Sequence, residues 1–509
     1  MAFSNRVRPS LAPAQSGLPS IHRHTGNMSV NKPSIPSCHL PPPMNSESTA
    51  PGVASGITID PATTGVGHHL RRTLRLALPV MLSRAGMVLM LTVDTAIVGH
   101  LGFANRQLAA LGAALIPQAV LQTAAIGLLI GIIVRTAQID GAGRPQACGE
   151  VWRLGLLLAL VIGAAYTAIL AQGQTILGSF LGQPAELAES GGAVLRILGW
   201  GMPGLLGYIA CAHFLEGINR PVPPMLLMLA GNLVNAVLAY GLGTGAFGFS
   251  AGGVLGVATA TTIVRWGLGI GGVLLVLLVA DRRRYGITLR HTQGLDGLIS
   301  LLRLGLPLAA AIGLESACFS MIVNMSGWLG PVSLATMYAA INYTSFIYML
   351  TIGLATAAAV RVGNAVGRGD WREAQRAGWV AVALAGALMA LAGVLTAGFA
   401  GEAAAILTDD PDVLAILVPV MAGVISLLVI VDSLQGVLMG ALRGCADTLI
   451  PTIIYGVSFW VVGVPAGYWW GYHHALGPNA LTWSLIAALA VAAIGLAWRF
   501  QRLTHHRAI

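Results

Sequence analysis

The chain repeats itself in membrane-length pieces, and that duplication constrains its fold more than any other feature. From Leu304 to Trp371 a long apolar segment, LGLPLAAAIGLESACFSMIVNMSGWLG, carries one carboxylate near its middle, Glu315. A second apolar segment follows and ends in the polar, glycine-rich stretch AAAVRVGNAVGRGDW, with Arg361, Arg368 and Asp370. The same order begins at Leu76: LALPVMLSRAGMVLMLTVDTAIVGHLG, a second apolar segment, then IIVRTAQIDGAGR from Ile132. Pro79 answers Pro307, Gly99 answers Gly327, Arg135 answers Arg361, and Gly141 and Gly143 answer Gly367 and Gly369. A third match pairs EGINRPVPP at Glu216 with RGCADTLIP at Arg443. Three matches in one order and at nearly one offset mean a duplicated chain.

The repeated unit belongs in a bilayer. The sequence is 56% hydrophobic and 9% charged, where a soluble domain carries about 25% charge. Many separate apolar runs reach the roughly twenty residues that a helix needs to cross the hydrocarbon core. The fold class expected is therefore an all-α polytopic membrane protein. The net charge of +9 does not point to nucleic acid, because the arginines alternate from loop to loop and so report topology. Cys38, Cys148, Cys211, Cys318 and Cys445 form no C-x-x-C pair and read as free thiols or packing residues. The histidines show no metal-ligand spacing; His68-His69 and His473-His474 read as interfacial or solvated. With neither a nucleophile–base pair nor a metal cluster in the sequence, an enzyme and a bound cofactor are not expected.

Residues 1–65 are rich in Pro, Ser and Gly and read as a disordered cytoplasmic tail, dispensable to the membrane-embedded part. They contain no apolar core of signal-peptide type, and Met28 or Met44 are alternative starts. Twelve spans follow, near 73–99, 108–134, 151–172, 192–215, 223–246, 252–280, 303–328, 333–360, 376–400, 413–441, 451–472 and 478–499. They divide into an amino-terminal six-helix lobe (66–280), a cytoplasmic linker (281–302), a carboxy-terminal six-helix lobe (303–502) and a short cytoplasmic tail (503–509). Arginines precede the first span and follow the second, fourth, sixth and eighth; others end the tenth and close the chain, and the remaining loops are nearly free of them apart from Arg106. Both termini and the linker, including Arg290, are therefore expected in the cytoplasm. Six spans per repeat is an even number, so both lobes insert the same way up, related by an axis along the membrane normal.

Ionisable residues inside spans cost about 2.5–3.5 kcal/mol on insertion scales and are retained where they pair or work. Five stand out: Arg84, Asp94, Arg265, Glu315 and Asp432. Glu315 and Asp432 lie at similar depth. Two nearby carboxylates in a low dielectric share a proton or hold a small cation such as Na⁺; the alternative is an internal salt bridge or a structural hydrogen bond. Asp94 carries the same alternatives in the other lobe. Arginine does not release its proton, so Arg84 and Arg265 are expected to pair with an acid or with carbonyl oxygens. Gln118, Gln122, Asn232, Asn235, Asn342 and Gln435 either line a wet cavity or bond between helices. Tyr338, Tyr343, Phe346 and Tyr348 offer a face for a cationic substrate or a packing surface.

At this point the chain resembles the multidrug and toxic compound extrusion (MATE) family, in its bacterial NorM-like branch, from about Leu74 to Arg502. The residues that carry the resemblance are LALP with VDTAIVGHLG, LGLP with GLE, VRVGNAVGRGD, and DSLQGVLMGALRGCADTLIP from Asp432. The family implies twelve helices in two pseudo-symmetric lobes around a central cleft, alternating access, and export of cationic or amphipathic drugs in exchange for Na⁺ or H⁺. It implies a monomer in the cell inner membrane. Asp94 matches the first-span coupling acid, Glu315 and Asp432 the acids of the carboxy-lobe cation site, and Asn235 a polar position near the first-span acid. The substrate and cavity-lining candidates are Asn235, Gln122, Asn342, Tyr343 and Gln435. The chain departs from some relatives at Leu428 and from many at A-T-M-Y in the eighth span, so the coupling ion stays open between Na⁺ and H⁺. A flippase for lipid-linked precursors is the alternative; its cavity would carry cations to meet a pyrophosphate. A passive channel fits the duplicated lobes less well.

Overall fold

The computed structural model describes residues 66–101, 104–288, 294–473 and 477–508. The tail 1–65, Arg290 and His474 lie outside the described residues, as do the side chains of His68, His69 and His473.

The described chain is helical, without strands. The first half contains α1 (Val66–Gly99), α2 (Ala104–Gly141), α3 (Cys148–Leu170), α4 (Ala185–Trp200), α5 (Met202–Gly217), α6 (Val222–Thr244) and α7 (Gly253–Val279). The second contains α8 (Gly294–Trp328), α9 (Pro331–Gly367), α10 (Trp371–Gly398), α11 (Pro411–Gly444), α12 (Leu449–Gly471) and α13 (Gly477–Ala508). Eleven described helices are long and apolar enough to cross a membrane, or twelve if α4 and α5 form one bent span. That pair meets at 42°. Gly201 stands at the joint and Pro203, which has no N–H to continue the ladder, opens the second helix. Apart from half-buried Pro203, every residue of α5 is buried, the mark of a helix at the centre of its lobe.

Helices extend beyond the apolar cores predicted for them. The segment 281–302 is a linker only in its first part, because α8 begins at Gly294 with Asp296 in its first turn, where a carboxylate complements the helix dipole. Likewise α13 continues to Ala508, past the span predicted to end near residue 499. An α-helix does not stop where hydropathy falls; it stops where its terminal groups find other partners.

Leu129, Leu206, Tyr208 and Phe214 anchor an apolar core in the first half. A second core, around Leu485, Tyr455, Phe459 and Phe500, also takes in Ala77, Met81, Ile130 and Val134 of α1 and α2. The halves meet through small residues, and the meeting obeys the duplication. A Cβ on Gly141 would strike the backbone of Asn364, and a Cβ on Gly367 would strike the backbone of Gln138. These two contacts exchange under the repeat, since Gly141 answers Gly367 and Gln138 answers Asn364. A second pair follows the same rule: Gly127 abuts Ala309, and Gly353 abuts Met81. Where lipid replaces water as solvent, close backbone approach of this kind holds helices together. Two polar ties reinforce it: Gln138 Nε2 donates to Gly444 O at 2.9 Å, and Arg361 Nη1 to Thr73 Oγ1 at 2.5 Å.

These contacts lie toward the ends of α1, α2, α8 and α9 that carry the arginine-rich loops. Gly112, nearer the opposite end of α2, faces open space. These close contacts between the lobes thus gather toward the basic end.

Candidate functional site in the central cavity

Between the lobes lies a cavity of about 560 Å³. Its walls are mostly apolar, with Met87, Ile126, Ile130, Ile312 and Phe319 among them. Its charged lining residues are Arg84, Glu315, Asp432 and Arg443, joined by His213.

The carboxy-lobe acids form one unit. Glu315 projects from the middle of α8, and Asp432 from α11, seven residues after a π-turn at Met421–Ile425 that follows Pro419. Gln435 lies one turn beyond Asp432, so both face α8. Its Nε2 donates to Glu315 Oε1 at 2.9 Å and to Asp432 Oδ1 at 3.1 Å. Its Oε1 accepts from the Tyr455 hydroxyl of α12. A neutral amide thus bridges two carboxylates and adds no positive charge. The pair can release its electrostatic strain only by taking up a proton or a cation.

Asp94 occupies a second polar knot in the other lobe. Asn235 Nδ2 on α6 donates to its Oδ1 at 2.6 Å, and Thr261 Oγ1 on α7 to its Oδ2 at 2.7 Å. Asn235 is fully buried, and neither it nor Asp94 lines the central cavity. The lone carboxylate is satisfied on both oxygens by neutral donors. One turn after Thr261, Arg265 is buried and donates from Nη1 to Leu198 O at 3.2 Å.

Of the other candidates, Gln122 lines the cavity and accepts from Gln118 Nε2 at 3.4 Å. Gln435 sits behind the two acids and does not reach the lumen. Asn342 and Tyr343 are elsewhere. Asn342 is exposed and donates to Tyr338 O in its own helix at 3.2 Å. The Tyr343 hydroxyl bonds Thr396 Oγ1 at 2.7 Å, tying α9 to α10. The face of α9 turned to the cavity carries Ile341, Thr344, Ser345 and Tyr348; one residue along a helix is about a 100° turn.

Sequence reasoning passed over three participants. Glu216 is a buried acid whose Oε1 lies 3.3 Å from Arg84 Nη2; this gives Arg84 its expected acidic partner. Thr261 completes the Asp94 knot. Arg443, read from sequence as a loop-proximal topology signal, lines the cavity. For Glu216, its place opposite Arg443 in the third repeat match was the available signal.

A duplicated, two-lobed bundle of membrane-length helices around one apolar cavity, with buried acids in each lobe, defines a membrane transporter. The chain belongs to the MatE family, whose model matches residues 79–241 and 307–469, one match per half. A probable multidrug resistance protein NorM of Burkholderia mallei is 34% identical over 443 residues, covering 86% of this chain and 93% of that protein. One from Rhodopseudomonas palustris is 33% identical over 464 residues, covering 90% and 97%. Among solved structures, a MATE transporter in the bent conformation superposes with a TM-score of 0.79 at 22% identity, over 87% of this chain and 98% of that one. The eukaryotic MATE transporter AtDTX14 gives 0.77 at 20%, over 87% and 99%. The likeness is to the NorM-like branch and confirms the two-lobed helical class.

Proposed function

We propose that this protein exports cationic or amphipathic organic compounds in exchange for Na⁺ or H⁺, by alternating access between its two lobes. The observation that carries the reading is the Glu315–Gln435–Asp432 unit in the wall of an otherwise apolar cavity. Glu315 and Asp432 are assigned as the site that takes up Na⁺ or H⁺, and Asp94, held by Asn235 and Thr261, as a second coupling site. Gln122 is assigned to the substrate path. Ion uptake neutralises carboxylate charge and ion release restores it. A cationic cargo therefore prefers the ion-free form, which supplies the differential affinity that coupling requires. No separate cofactor is assigned, and the working unit is taken to be a monomer of two lobes, 66–280 and 303–502. A lipid-linked pyrophosphate is a poorer cargo, because Glu315 and Asp432 would meet it with like charge.

The test is efflux of a fluorescent organic cation from vesicles holding the reconstituted protein, with Na⁺ and pH gradients imposed separately. One of the two gradients is expected to drive efflux. Equal efflux with no gradient would point to a passive channel and against this reading.

The proposal places both termini and the basic loop after α7 in the cytoplasm, in a bacterial inner membrane. Arg282, Arg283 and Arg284 are exposed there. Arg283→Cys is expected to resist an impermeant maleimide applied outside intact cells and to react in inside-out vesicles. Ready labelling from outside would invert the topology.

A further inference from the structure

The third repeat match hides a charge reversal with a structural consequence. Position 216 in the first half is Glu, and its counterpart 443 in the second is Arg. In the first half that charge is neutralised by Arg84 of α1, with both Glu216 oxygens 3.3–3.4 Å from Nη2. The residue answering Arg84 in the second half, at the offset that relates Pro79 to Pro307, is Ile312. It lines the cavity and offers no charge. Arg443 accordingly makes no ion pair among the described residues, and its Nε is buried without a hydrogen-bond partner.

Arg443 also stands in a definite relation to the acids. It follows Asp432 by eleven residues on α11, or about three turns, which returns it to the same face about 16 Å farther along the axis. Both side chains line the cavity. His213 is buried beside the floor, and its Nδ1 donates to Leu129 O at 3.1 Å. Arg84 is committed to Glu216. The cavity thus carries paired carboxylates and, about three turns along α11 from Asp432, a guanidinium without an ion pair, with Ile312 in the place that Arg84 holds in the first half. Arg443 is half-buried and opens onto the cavity; a guanidinium with a buried, unpartnered Nε gains a charge-assisted bond from a ligand oxygen anion.

We infer that Arg443 is an anion subsite within the transport cavity, which receives the carboxylate of an amphipathic zwitterion whose cationic end faces Glu315 and Asp432. This rests on the export reading above and narrows its substrate class.

The experiment compares rhodamine 110, which bears a free carboxylate, with its methyl ester rhodamine 123, which does not. Binding of each dye to the detergent-solubilised full chain is read by fluorescence polarisation. Wild type is expected to bind the acid more tightly than the ester. Arg443→Gln is expected to weaken acid binding by at least about tenfold, as loss of a hydrogen bond to a charged group predicts, with ester binding changed less than about twofold. Arg443→Lys keeps the charge and is expected to retain most of the preference, which separates anion recognition from a structural role. Equal weakening of both dyes, or no change in either, would overturn the subsite. Failure of gradient-driven rhodamine 123 efflux in wild type, with the acid preference in binding intact, would sink the export reading and leave the subsite standing.

Discussion

Glu315→Gln is expected to abolish gradient-driven efflux while the protein still inserts and folds. The substitution preserves side-chain length and lets the new amide accept from Gln435 Nε2 in place of Glu315 Oε1, which now accepts at 2.9 Å. What disappears is the carboxylate proposed to take up the coupling ion. Asp432→Asn, at a site only 5% exposed, removes the other half of the same unit. Each is expected to cut gradient-driven efflux by at least about tenfold, a difference of roughly 1.4 kcal/mol or more. Because the acids share Gln435 and are proposed to act on one ion, the double variant should be little worse than either single, a non-additivity expected of coupled residues. Membrane abundance and melting behaviour separate loss of coupling from loss of fold. Full gradient-driven efflux in both single variants would make the acids structural and refute the mechanism.

Why those two acids were legible in the sequence, and other parts of the site were not, follows from what a sequence resolves about a helix. Glu315, Asp432 and Asp94 stand out because a charge inside an apolar run violates the solvent preference of the whole run. The lobes, their duplication and the two-lobed fold were equally plain, since each repeat carries its own punctuation of proline, glycine and arginine. Rotation about the helix axis is a different matter. Tyr343 and Tyr348 are five residues apart and both aromatic, yet one bonds Thr396 and the other faces the cavity. The hydrophobic contrast that would distinguish the faces of α9 is missing, because lipid, protein core and cavity wall are all apolar. Arg443 illustrates a third difficulty. It lies beside a loop in sequence, but inward-facing in space, since α11 continues to Gly444 and its last turns are enclosed by the other lobe through Gln138. Glu216, near the end of its own span, was masked in the same way.

Gly367→Leu is expected to force the two lobes apart at their basic end. The glycine packs on the backbone of Gln138, and its repeat mate Gly141 packs on that of Asn364. Backbone cannot rotate away as a flexible side chain does, so the added side chain must separate α2 from α9. Overpacking a close-packed contact costs about 1–3 kcal/mol. With Gly141→Leu added, the symmetric site contributes a like amount. Moving a two-state equilibrium from 99:1 to 1:99 takes about 5.5 kcal/mol, so the single change should weaken the latched state and the double should largely empty it. Phe214 and Phe459, which anchor the two larger cores, are not contacts of Gly367, so insertion should persist. Spin labels on exposed Arg144 and Arg368, each exchanged for cysteine, report the separation by pulsed electron resonance. The expected result is a short distance in the parent protein, a longer and broader one in Gly367→Leu, and reduced efflux, with both effects larger in the double variant. Gly112→Leu is the control, because that glycine lies on α2 with open space before it; it should change neither distance nor efflux. An unchanged distance and normal efflux in Gly367→Leu would show that these glycine contacts do not hold the lobes together.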